Sequence, residues 1–153
     1  YSAAEILALS LAQQAGDGDF VSGTTTQCGA GNLALTSSGG RPFLGNAAYQ
    51  LDITATTPSL VLLLAGFDRC LYSGALPLPL DGTPLLPLLS GCWILADAPV
   101  LLSGVAVGAP ASFPLAIPLT APAGVEIYTQ SLSLDLATNA TSMSRGFATG
   151  LGF

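Results

Sequence analysis

The chain has 153 residues, half of them hydrophobic and 8% charged, with three Arg, no Lys, no His and a net charge of −6. Nucleic-acid binding and polybasic membrane anchoring both need clustered cations, so both are excluded. Catalysis through a Ser-His-Asp or Cys-His site, a P-loop or Schiff-base lysine, or a His-liganded zinc is excluded too, because the side chains are missing.

The length suits one ordinary domain with a sizeable core. The first segment, Tyr1–Gln14, carries Ile6, Leu7, Leu9 and Leu11. Its Ala, Glu, Leu and Gln favour a helix, while Leu7, Leu9 and Leu11 alternate as in a strand; pattern alone leaves both open. Gly16-Asp17-Gly18-Asp19 reads as a flexible hinge. The expected organisation is therefore an arm and hinge over 1–19 and a β domain over 20–153. Burying each large apolar side chain of the arm is worth about 1.5–3 kcal/mol, so the arm must find a surface.

From Asn32 onward the period is two. Tyr49, Leu51, Ile53 and Ala55 alternate with polar residues, which predicts a strand with one buried face. Ser59–Phe67 is a continuous apolar strand, expected to be central; its core, Leu60–Gly66, is far short of the roughly 20 residues of a membrane span. Leu76–Leu89 is Pro-rich, predicting an extended cover over the core. Phe113, Leu115, Ile117 and Leu119 share a face, and Pro114 and Pro118 share the other, which predicts an edge strand. Val125 and Ile127 have one parity and Leu132, Leu134 and Leu136 the other, which predicts a β-bulge near Tyr128–Gln130. With Cys92–Asp97, Val100–Gly108 and Ser142–Phe153 the total is about eight or nine strands. The expected fold is an all-β, antiparallel, jelly-roll-like β-sandwich with an apolar N-terminal arm.

Several phrases occur in a suggestive order: Arg41-Pro42-Phe43-Leu44-Gly45, Leu62-Leu63-Leu64-Ala65-Gly66, Leu76-Pro77-Leu78-Pro79-Leu80, Gly91-Cys92, Ile127-Tyr128-Thr129-Gln130 and Ser144-Arg145-Gly146-Phe147-Ala148-Thr149-Gly150. This order resembles the small β-sandwich domains near the C-termini of secreted bacterial proteins, especially of planctomycetes and myxobacteria. The resemblance covers roughly Cys28–Phe153 and departs where Ser-Arg-Gly stands for the usual Ser-Asn-Gly. It implies a sandwich fold and an extracellular address, and no activity; some domains of this kind look like building blocks of surface fibres.

Three Cys leave three single pairings open. Cys70–Cys92 brackets the Pro-rich stretch and is favoured, Cys28–Cys92 follows closely, and Trp93 beside Cys92 is expected in the core. Asn139-Ala140-Thr141 is an N-glycosylation sequon on an expected loop. The Gly29–Ala34 stretch mimics a dinucleotide fingerprint without the helix that would give it meaning, and Asp17-Gly18-Asp19 has too few oxygens for calcium. Neither predicts a cofactor or metal.

A Lys-free, Ser/Thr/Gly-rich chain with Cys is expected outside the cell or at its surface. The expectation is a non-enzymatic structural protein, a filament subunit polymerising with copies of itself through Ile6, Leu7, Leu9 and Leu11. A carbohydrate-binding or adhesion module, with glycans as partners, is the alternative, and a glycoside hydrolase using paired carboxylates a distant third.

Overall fold

A computed structural model describes residues 2, 15–20, 28, 33–83 and 87–153. The arm residues Ile6, Leu7, Leu9 and Leu11 lie outside the described residues. Among those described, the fold is all-β. Nine strands have three or more residues: β1 (Gly16–Phe20), β2 (Ala34–Ser38), β3 (Gln50–Thr54), β4 (Ser59–Gly66), β9 (Val100–Ala106), β10 (Ala111–Pro114), β11 (Glu126–Asp135), β12 (Thr141–Met143) and β13 (Gly146–Gly150). Four more have two residues each: β5 (Leu71–Tyr72), β6 (Leu76–Pro77), β7 (Leu80–Asp81) and β8 (Trp93–Ile94).

The longer strands make two antiparallel sheets. The large one runs β1-β13-β11-β4-β9, with β12 also on β11, and the small one runs β10-β3-β2. The ribbon β3–β4 pairs with the ribbon β9–β10, β4 against β9 in one sheet and β3 against β10 in the other. One long hairpin thus wraps around the core, which is the jelly-roll element of the fold. The alternation read from Tyr49 to Ala55 is realised: Tyr49, Leu51 and Ile53 are buried and meet Val61 and Leu63 of β4 and Phe113 of β10 between the sheets. The proline parity also holds, since β10 is an outer strand and ends at Pro114. The shared face continues through Leu115 and Ile117, which pack in the core, and ends before Leu119, which is exposed.

The parity switch along β11 has a different cause from the one expected. Tyr128 to Asp135 pair with Gly66 to Ser59 without interruption, so β11 has no bulge at Tyr128–Gln130 on that side. Instead both faces of the sheet are covered. Odd residues such as Ile127 and Thr129 face the small sheet, while Leu132, with Leu64 of β4, packs against a second cluster of Leu89, Cys92, Ile94 and Met143. The Pro-rich stretch, with its short pairings β5–β6 and β7–β8 and a 3-10 turn at Pro87–Leu89, forms this second cover.

The extra residue lies on the opposite side of the ladder. Thr129 pairs with Phe147 and Leu132 with Met143, so Gln130 and Ser131 face Ser144, Arg145 and Gly146. Two residues against three is a bulge between β12 and β13. Ser144 closes it, its Oγ accepting the Ser131 amide at 2.9 Å. Gln130 seals it from the cover side. Its Nε2 donates to the carbonyls of Trp93 (2.9 Å) and Ser144 (3.0 Å), and its Oε1 accepts the Leu95 amide (3.0 Å).

The disulfide is Cys28–Cys92, and Cys70 is free and exposed, which corrects the favoured Cys70–Cys92 pairing. The reason is non-local. Cys28 forms a backbone bridge with Met143, donating at 3.3 Å and accepting at 3.2 Å, and Cys92 packs in the same cluster as Met143. Cys70 is held elsewhere, in a turn where its amide donates to Asp68. Trp93 is 40% exposed rather than in the core: in β8 it is Ile94, its neighbour, that turns inward.

Gly16–Asp19, read as a hinge, is strand β1, paired in register with β13 from Gly16↔Gly150 to Phe20↔Gly146. Local composition suggests a turn, but four long-range contacts hold the strand. The Tyr49 hydroxyl donates to the Asp17 carboxylate at 2.9 Å and lies 3.1 Å from the Thr149 hydroxyl. Phe20 meets Tyr128 edge-to-face at 5.4 Å, and its ring lies over the bare α-carbon of Gly146, where a Cβ would approach to 2.4 Å. Arg145 and Asp19 form an exposed ion pair at 3.6 Å. Burial raises the Tyr49 hydroxyl pKa well above its ordinary value, with the Asp17 bond and charge adding to the rise, so this hydroxyl stays a donor.

Candidate functional site

Among the described residues the most unusual surface is a strand edge. Sheets normally blunt their outer strands with charge, proline or shortness, because unpaired amide and carbonyl groups template further pairing. Three outer strands here follow that rule. β1 carries Asp17 and Asp19, β10 ends in Pro114, and β2 is short and ends Thr36-Ser37-Ser38. β9 does not. Its sequence, VLLSGVA, spans seven residues with no charge and no proline, and it ends the large sheet.

The side chains of β9 are exposed as well as its edge. Leu101 and Val105 are each 57% exposed, and Val100 and Leu102 more than two-fifths. The register explains what they belong to. Val105, Leu60 and Leu134 stand in one cross-strand row, Ser103, Leu62 and Leu132 in the next, and Leu101, Leu64 and Gln130 in the third. These rows lie on the face of the sheet turned away from the small sheet. They make a flat leucine-rich surface, buried toward Gln130 and the disulfide and open toward β9. On the inner face, Val100 and Leu102 line an apolar cavity of about 140 Å³ with Leu63, Phe67, Phe113 and Leu115.

Two other hollows have mixed linings. One, of about 250 Å³, is lined by Thr56, Thr57, Ser133, Asp135, Thr138 and Ser142. Asp135 organises it: its carboxylate accepts the Thr57 hydroxyl at 2.6 Å and the amides of Ala137 and Thr138 at 2.7 and 3.0 Å. These bonds, the Thr57 hydroxyl first, hold its pKa at about 2, below the ordinary 3.8. A carboxylate depressed on folding adds stability above pH 3.8 that is lost as pH falls toward 2. Thr57→Val should therefore move the Asp135 carboxyl titration upward toward 3.8 and weaken the stability gained between pH 2 and 4. NMR titration of the Asp135 carboxyl carbon reads this; an unchanged midpoint would refute it. The same turn holds Asn139, exposed at φ +58, so the sequon asparagine sits at the surface of the β11–β12 connection.

Of the residues singled out from sequence, Ile6, Leu7, Leu9 and Leu11 lie outside the described residues, Cys92 pairs with Cys28, and Cys70 stands apart. The β9 surface was missed, because an apolar run in a sequence reads as buried. The one available signal was the absence of any charge or proline between Val100 and Gly108. No family model matches the chain, and a comparison with curated proteins finds no match.

Proposed function

We propose that the chain is an extracellular structural protein, the subunit of a filament that polymerises through its N-terminal arm. The observation that carries this reading is the unguarded β9 edge, uncharged and apolar on a domain whose other outer strands are guarded. Two features support it. The arm of Ile6, Leu7, Leu9 and Leu11 departs from β1, a strand fixed by Asp17 and Phe20, so its base has a defined position. A surface of a chain with 8% charged residues also offers little repulsion between copies. The Cys28–Cys92 bond is compatible with an oxidising compartment, and the resemblance to secreted bacterial sandwich domains points to the same address.

The test is negative-stain electron microscopy of the full chain beside L7D/L9D/L11D. Filaments from the first and folded monomers from the second are expected. Filaments from both would overturn assembly through the arm, and monomers from both would overturn assembly altogether. The carbohydrate-binding alternative has one observation in its favour, the exposure of Trp93. Polysaccharide pull-down that is lost in Trp93→Ala would establish it, and pull-down that fails or survives would remove it.

A further inference from the structure

The β9 edge is one half of a contact, and the arm has the dimensions of the other. An added strand places side chains on alternate faces at a two-residue repeat. Leu7, Leu9 and Leu11 have that repeat, as do Leu101, Ser103 and Val105. With the arm beside β9 and its leucines on the outer face, each of the three cross-strand rows gains one leucine. Ile6 then faces inward, on the side of the apolar cavity lined by Val100 and Leu102. The main chain of the arm takes the outward amide and carbonyl groups of β9, so backbone pairing and apolar burial occur together.

Chain length decides whose arm this is. From β1 the sheet runs through β13, β11 and β4 to β9, so a strand outside β9 lies five spacings away, about 24 Å at ~4.8 Å each. Five Cα steps separate Leu11 from Gly16, and a fully extended chain covers at most about 18 Å in that length. An arm paired along its leucines with β9 cannot be the arm of the same copy. We infer that the β9 edge, Val100–Ala106, receives the Ile6–Leu11 segment of a second copy as an added strand. Donor base and acceptor edge lie at opposite edges of one sheet, so successive contacts of this kind run head-to-tail. This inference rests on the assembly reading and adds the acceptor to it.

The experiment uses two full-length variants. L7D/L9D/L11D keeps the edge and spoils the arm; L101K/V105K keeps the arm and charges the edge, at two exposed positions whose replacement leaves the core intact. Circular dichroism and a thermal melt first establish that both are folded. Sedimentation velocity is then run on the native chain, on each variant and on their equimolar mixture. The expected result is polymer from the native chain, monomer from each variant and a 1:1 heterodimer from the mixture, since one good arm and one good edge make a single contact. If L101K/V105K still polymerises, or the mixture stays monomeric while the native chain polymerises, the acceptor assignment is overturned and assembly stands. If the native chain itself is monomeric, both fall. Should L101K/V105K not fold, L101S/V105S replaces it and is read in the same way.

Discussion

Replacing Cys28 and Cys92 by Ser should lower the free energy of unfolding by about 4 kcal/mol, the loop-closure value for a separation of 64 residues. A domain of this size has roughly 5–15 kcal/mol in total, so the loss is large. The effect should also be directional. The bond ties the Met143 side of the large sheet to the cover formed by Leu80, Leu89 and Ile94. Without it the cover loosens first, exposing the leucine-bearing face of β4 and β11. Amide exchange of Ile94 and Leu95 should therefore quicken more than that of Leu51 and Ile53 between the two sheets. Cys70→Ser, at an exposed position, should change stability by no more than about 0.5 kcal/mol. Urea unfolding of the three proteins measures the stabilities and hydrogen exchange the direction, and a double variant within about 1 kcal/mol of the native chain would refute the first.

Gln130→Leu should cost about 3–5 kcal/mol although Leu fills a similar volume. Gln130 is 1% exposed and satisfies three backbone groups on two segments distant in sequence: the Leu95 amide and the Trp93 carbonyl on one, and the Ser144 carbonyl on the other. Leucine leaves all three buried and unpaired, at about 1–3 kcal/mol each before relaxation. The bulge at Ser144–Gly146 and the register of β8 against the sheet would be freed together. Denaturant titration reads the loss, and exchange of the Leu95 amide localises it. A loss below 1 kcal/mol would show that water replaces the glutamine without penalty.

Much of the sandwich could be read from the sequence wherever one face of a strand is wet. Tyr49–Ile53 and Phe113–Pro114 obey that condition, and their faces and edge position follow from alternation and proline parity. β11 does not obey it. Its Leu132 and Ile127 are both packed, against different layers, and parity alone cannot distinguish a bulge from a sheet covered twice. Gly16–Asp19 has turn composition, yet the strand it forms with Phe20 is held by Tyr49 on Asp17 and Tyr128 on Phe20, more than thirty and one hundred residues away. The pairing of Cys28 likewise depends on its bridge to Met143, which no local spacing reveals. The β9 surface was hidden for a related reason: hydrophobicity reports what a residue prefers and not whether anything covers it.

The order of strands also carries a consequence for synthesis. Both ladder partners of β4, the apolar Ser59–Gly66, lie later in the chain, in β9 and β11. At usual elongation rates the ribosome needs on the order of ten seconds to go from Gly66 to the end of β13. For the first part of that interval, until Val100–Ala106 has been made, this leucine-rich strand has neither ladder partner. The leucines of β4 thus stay without their full ladder until Glu126–Asp135 has also been made.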